Sequence, residues 1–136
     1  MSSAIENLLP HRAPMRWIDA LVDCTETTAK ATVTFSSGHY AVAAGRVLET
    51  ALVECIAQTI AAAQSQRARG PGGSGRPSVG MLAAVSNFKQ HSPAPLDQVL
   101  EIEIREVKKF SPMLMVAGRI QCDSQLIAEG ELTVYA

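Results

Sequence analysis

The sequence predicts an α+β fold in which one long helix is enclosed by antiparallel strands. Three observations carry that expectation. Ala29 to Phe35 alternates apolar and polar residues with a period of two. From about Val47 to Gln66, Leu48, Ala51, Leu52, Cys55, Ile56, Thr59, Ile60 and Ala63 recur at three- and four-residue steps, as one face of a helix requires. Beyond a glycine- and proline-rich break, the remainder of the chain returns to strand-like alternation.

Each element can be justified in order. Ala4 to Leu9 is short and ends at Pro10, with Pro14 soon after, so it predicts a brief helix or turn that leads into extended chain. Trp17, Ile18, Leu21 and Val22 supply apolar anchors, and the strand at 29–35 follows. The loop Ser36-Ser37-Gly38-His39 precedes the long helix. Between Glu54 and Arg67 that helix carries no charge, whereas a surface helix normally shows charged residues at regular intervals along its solvent side. Most of its circumference is therefore expected to be covered. The stretch GPGGSGRP, 70–77, has four glycines and two prolines and predicts a flexible surface loop inside a single domain spanning 1–136. Strand-like runs follow at 79–85 and 86–89, then at 99–107, 114–122 and 126–135, the last two separated by Asp123-Ser124.

Composition narrows the function classes. Twelve basic and thirteen acidic residues give a formal net charge of −1, so no overall field attracts nucleic acid or an anionic membrane. The chain is 47% hydrophobic and 18% charged, with a mean hydropathy of +0.11, more apolar than an average soluble domain and in keeping with a surface partly covered by another subunit. Cys24, Cys55 and Cys122 lack any C-x-x-C or His-rich spacing, which predicts buried free thiols rather than disulfides or a metal site. The longest apolar stretch, 51–63, is too short for a membrane span, and no signal-peptide pattern opens the chain, so the expectation is a cytoplasmic protein.

Five stretches resemble one family. LLPHRAPMRWIDALVDC, Gly38-His39-Tyr40, ECIAQ at 54–58 and VSNFKQHSPAPLDQVLEIEI are similar to segments of the hotdog-fold 3-hydroxyacyl-acyl carrier protein dehydratases, and LIAEGELTVYA resembles their closing strand. Ala41 stands where that family has a proline, and Leu96 replaces a glycine before Asp97, so the chain resembles a divergent member. The resemblance implies a curved antiparallel sheet wrapped around one long central helix. It implies dehydration of a 3-hydroxyacyl thioester to the trans-2-enoyl thioester, with no metal or organic cofactor, in fatty acid, lipid or polyene synthesis. It also implies a homodimer or an oligomer of dimers in which the catalytic groups come from different subunits.

The chemistry assigns expected roles. His39 would take the C2 proton, since imidazole exchanges protons near neutral pH, and Glu54 in an apolar site would hand a proton to the departing hydroxyl. Gln58 lies four residues after Glu54 on the same helical face, and the resemblance implies that it orients the carboxyl group or a water beside it. Backbone N–H groups from Gly45 and Arg46 to Glu49, expected at the helix start, would stabilise charge on the thioester oxygen. His11, beside Pro10, is expected to make a structural contact. An acidic acyl carrier protein would dock on basic residues, with Arg67, Arg69, Arg76, Lys89, Lys108 and Lys109 as candidates. Two rival readings are an acyl thioesterase on the same fold, using Glu54 to activate water, and a non-catalytic hotdog subunit that pairs with an active partner.

Overall fold

The computed structural model describes residues 5–69 and 81–135, so the stretch 70–77 expected to be a flexible loop lies outside the described residues. A one-turn helix α1 (Ile5–Leu8) is followed by β1 (Ala20–Cys24) and β2 (Thr28–Thr34). Next come a small hairpin, β3 (Val42–Ala43) and β4 (Arg46–Val47), and the long helix α2 (Glu49–Arg69). Four long strands complete the chain: β5 (Met81–Gln90), β6 (Val99–Phe110), β7 (Met113–Cys122) and β8 (Gln125–Tyr135). Six strands form one antiparallel sheet in the order β1-β2-β6-β7-β8-β5. With α2 packed against β1, β2, β6 and β7, this is the hotdog arrangement of one long helix held by a large antiparallel sheet.

Period-two alternation explains the core. Ala29, Ala31 and Val33 of β2 pair in register with Ile104, Ile102 and Leu100 of β6, and all six side chains are buried. Leu114, Val116 and Ile120 of β7 continue this inner layer against Leu52, Ile56 and Ile60 of α2. Helix and sheet approach very closely at Gly118, where an added Cβ would lie 2.6 Å from Cγ2 of Ile56. Any side chain there would push α2 away from β7.

The polar residues within α2 are satisfied locally. Thr59 is fully buried and its hydroxyl donates to the Cys55 carbonyl at 2.8 Å. Near the C-terminal end of the helix, Arg67 donates to the carbonyls of Thr25 (2.7 Å) and Thr28 (3.1 Å), tying α2 to the β1–β2 turn. Val53, Glu54, Ala57, Ala61 and Gln64 are only partly buried, so one stripe of this nearly uncharged helix is left half-covered.

On the face turned away from α2, five charges fall into register across five strands. Lys30 pairs with Glu103, Glu103 with Arg119, Arg119 with Glu129, and Glu129 with Lys89. The Lys30–Glu103 and Arg119–Glu103 separations are 3.5 and 3.8 Å. At the far margin, β5 pairs only with β8, and Met81, Leu82 and Val85 remain exposed.

The structure corrects the expected helix start. Gly45 and Arg46 do not open α2; they belong to the β3–β4 hairpin, whose two turn residues, Ala44 and Gly45, have φ of 53° and 74°. Positive φ at both positions is what a tight two-residue hairpin demands, and glycine adopts it without steric cost. The run at 79–89, read as two pieces, is one strand from Met81, bulged between Ser86 and Lys89, with Asn87 at φ 53°.

Candidate active site

Glu54 sits on the second turn of α2, and its side chain keeps 36% of its surface exposed, so it is neither sealed in the core nor out in bulk water. Helical geometry places Gln58 one turn further on the same side, and its amide donates to Oε2 of Glu54 at 3.1 Å. Gln58 is itself 1% exposed and completely engaged. Its Nε2 also donates to the Met15 carbonyl (2.8 Å), while its Oε1 accepts from the backbone N–H of Trp17 (2.9 Å) and Ile18 (3.3 Å). A buried amide with all four partners in place is rigid, so it fixes the carboxylate beside it.

The second neighbour of Glu54 is His11, whose Nε2 lies 3.4 Å from Oε2. Both residues line a cavity of about 130 Å³ walled by Ala57, Ile60, Ala61 and Gln64 of α2, Met81 and Leu82 of β5, and Val134 and Tyr135 of β8. Its walls are largely apolar. A larger concavity of about 580 Å³ lies on the opposite, charged face of the sheet around Lys30, Glu103, Arg119 and Glu129. The smaller cavity is the better candidate because it joins an available carboxylate to apolar walls, whereas the larger one is lined mainly by charged and polar side chains, with Glu103 already paired to Lys30 and Arg119.

His39 does not line the Glu54 cavity of its own chain. It stands in the loop after β2, with its ring edge-on to Phe35 at 4.8 Å and to Trp17 at 6.1 Å between centroids. Its Nδ1 accepts the N–H of Ala41 at 2.9 Å, which places the proton of the neutral ring on Nε2. Burial holds the imidazole below the usual histidine value, opposed by the charge of Asp19. The ring as held therefore presents a donor at Nε2, rather than the lone pair of a proton acceptor.

The remaining expected residues divide. Gly45 and Arg46 are exposed and do not line the cavity. Of the basic candidates, Arg67 clamps the β1–β2 turn, Arg69 donates to the Asn7 carbonyl at 3.2 Å, and Lys89 faces Glu129 across the sheet. Arg76 lies outside the described residues. Lys108 sits over the Phe110 ring at 5.7 Å, at the β6–β7 hairpin. The register Phe110–Met113–Tyr135–Met81 puts that hairpin on the same end of the sheet as the cavity.

Cys55 and Cys122 are buried free thiols and Cys24 is half-buried; burial pushes all three thiols above their ordinary value. Among the described residues there is no cluster of metal-ligating side chains, and no helix is long and apolar enough to cross a membrane. Sequence reasoning left His11, Leu82 and Tyr135 out of the site. The only available signal was that His11 shares with Glu54 the set of stretches that carried the family resemblance.

Comparison with known proteins supplies the family. The chain matches the model of the ApeP-like family, described as ApeP dehydratase, over residues 3–136. No curated protein matches it. Among solved structures it is similar to the dehydratase heterocomplex ApeI:P from Xenorhabdus doucetiae, at 19% identity and a TM-score of 0.88, over 99% of this chain and 91% of that one. It is also similar to a hypothetical thioesterase with coenzyme A from Streptococcus pneumoniae (13% identity, TM-score 0.67, 85% of each chain). Thioesterase superfamily member 2 from Mus musculus gives 14% identity and a TM-score of 0.65, over 85% of this chain and 80% of that one. At these identities the similarity is one of fold.

Proposed function

The chain belongs to the ApeP-like family of dehydratases, and we propose that it dehydrates a 3-hydroxyacyl thioester, with Glu54 as the group that moves the proton. The observation that carries this reading is the state of the Glu54 carboxylate. Oε2 is held by Gln58, while Oε1 has no protein partner among the described residues and belongs to a side chain that lines an apolar cavity. In the forward direction, Oε1 takes the C2 proton of the substrate and returns it to the C3 hydroxyl, which leaves as water as the C2–C3 double bond forms. The carboxylate is regenerated and no co-reactant is consumed. His39, reaching the cavity from a second subunit, donates its Nε2–H to the thioester oxygen, where negative charge builds, in place of the base role expected from sequence.

Two further features support a subunit-shared site. The β5 margin has an unpaired edge and exposed Met81, Leu82 and Val85, and two of these residues line the cavity. A second hotdog subunit pairing there would cover this edge and close the cavity. Lys108 and Lys109, on the cavity end of the sheet, are the remaining basic pair for an acidic acyl carrier protein. The subunit across β5 is either a second copy or a different hotdog chain. A second copy would bring its own His39 to the Glu54 cavity, whereas a different hotdog chain, in keeping with the heterocomplex to which the fold is similar, would have to supply the equivalent donor.

The test is hydration of a trans-2-enoyl thioester, followed by loss of enoyl absorbance, with free thiol release measured in parallel. Wild type, Glu54→Gln and His39→Ala are compared, alone and co-purified with any hotdog partner. Both variants are expected to lose most of the hydration activity while staying folded. Thiol release without hydration would replace the dehydratase with a thioesterase, and full activity in Glu54→Gln would remove Glu54 from the mechanism.

A further inference from the structure

We infer that His11 is a positioning residue for Glu54: its Nε2–H and the Gln58 amide together occupy Oε2, so that Oε1 alone exchanges protons. This inference rests on the proposed dehydratase reading. Its basis is geometric. His11 Nε2 lies 3.4 Å from Glu54 Oε2, and Gln58 Nε2 lies 3.1 Å from the same oxygen. The other ring nitrogen of His11, Nδ1, is buried and has no hydrogen-bond partner.

That orphaned nitrogen determines the tautomer. A proton on Nδ1 would be a buried donor facing nothing, and orphaned N–H groups are rarer in folded proteins than under-satisfied acceptors. The ring proton therefore belongs on Nε2, directed at the carboxylate, where it has an acceptor. Gln58 hydrogen-bonds to Oε2 and the His11 Nε2–H approaches the same oxygen at 3.4 Å, so the two together bias the rotation of the group and leave Oε1 as the reacting atom. His11 is carried on the segment between α1 and β1, and Gln58 binds Met15, Trp17 and Ile18 of that same segment. The two donors are thus mechanically joined: the amide that grips Glu54 also anchors the stretch that brings His11 to it. His39, which packs edge-on to Trp17 and does not line this cavity, cannot supply this contact within the chain.

The experiment compares wild type with His11→Phe, which keeps a ring but removes the donor, and His11→Gln, whose amide nitrogen falls near the position of Nε2. In enoyl thioester hydration, His11→Phe is expected to lower kcat about 10- to 100-fold with KM within about threefold, the size of effect that misplacing a reacting group produces. His11→Gln is expected to recover to within about fivefold of wild type, by the same reasoning. A second readout does not use activity: long-range ¹H–¹⁵N spectra of the three histidines, assigned through His11→Gln, should give the Nε2–H tautomer for His11 and a shift of its Nε2 resonance in Glu54→Gln. A folded His11→Phe protein with wild-type kcat, or an Nδ1–H tautomer for His11, would overturn the inference. If wild type shows no hydration, the dehydratase reading falls, and the spectra still decide whether His11 holds Glu54.

Discussion

Replacing Gln58 with leucine isolates the network that holds the site. Leucine is close to glutamine in size and fits the same buried position, but it satisfies none of the four hydrogen-bonding partners. The two shortest hydrogen bonds that the substitution removes are those to the Met15 carbonyl at 2.8 Å and from the Trp17 N–H at 2.9 Å. A buried polar group left without its partner costs about 1–3 kcal/mol. Met15 is 46% exposed and its carbonyl can recruit water, so the low half of that range applies, for a total of about 2–4 kcal/mol over the two groups. In a chain of this length the melting temperature should fall by about 6–16 °C. The assay is urea unfolding followed by Trp17, the single tryptophan, which belongs to the segment being released. The midpoint should drop with an unchanged slope, because the native surface is otherwise the same. A midpoint equal to that of wild type would mean that Gln58 does not tie α2 to the Met15–Ile18 segment, and the account of how Glu54 is positioned would fail with it.

Two further outcomes test the fold and the His39 loop. Gly118→Ala should destabilise the protein by about 1–3 kcal/mol through overpacking, and the penalty should shrink in an Ile56→Ala background, where the clashing Cγ2 is gone; additive losses in the double-mutant cycle would count against the close helix–sheet contact. His39 is held below its ordinary value of 6.5 by burial, so the unfolded chain binds a proton more readily than the folded one. Its contribution is therefore present above pH 6.5 and is lost as the pH falls through the lowered folded value; thermal melts of wild type and His39→Gln should diverge above that pH and converge below it.

How much was legible in advance follows from what periodicity reports. The strands at 29–35, 99–107, 114–122 and 126–135 were readable because each has one face on the core and one in water, so that side-chain type alternates with the backbone. The scarcity of charge on α2 marked it as covered over most of its circumference, and the half-covered stripe through Val53, Ala57, Ala61 and Gln64 is the exception. The β3–β4 hairpin escaped notice because its strands are two residues long and leave no period to detect; only Ala44-Gly45 hinted at a turn. β5 has the weakest alternation, since two bulges and an open margin leave nearly all of its side chains exposed. For the site, the Glu54–Gln58 spacing could be read directly, since i and i+4 on a helix are neighbours whatever the fold. The His11 contact could not, because it spans more than forty residues and depends on how Gln58 grips an irregular segment. The tautomer of His39 is set by one backbone N–H two residues along, a detail of loop geometry that residue types do not encode.

The row of alternating charges on the outer face of the sheet grades how freely its members can vary. Single exposed ion pairs stabilise little, about 0–1 kcal/mol, yet Glu103 answers to Lys30 on one side and Arg119 on the other, so inverting its sign offends two neighbours together. Lys30 and Lys89, the terminal rungs, each answer to one partner within the row. Mutational drift is therefore less costly at the two outermost lysines than at Glu103, and a scan of charge reversals along the row should show its largest loss there.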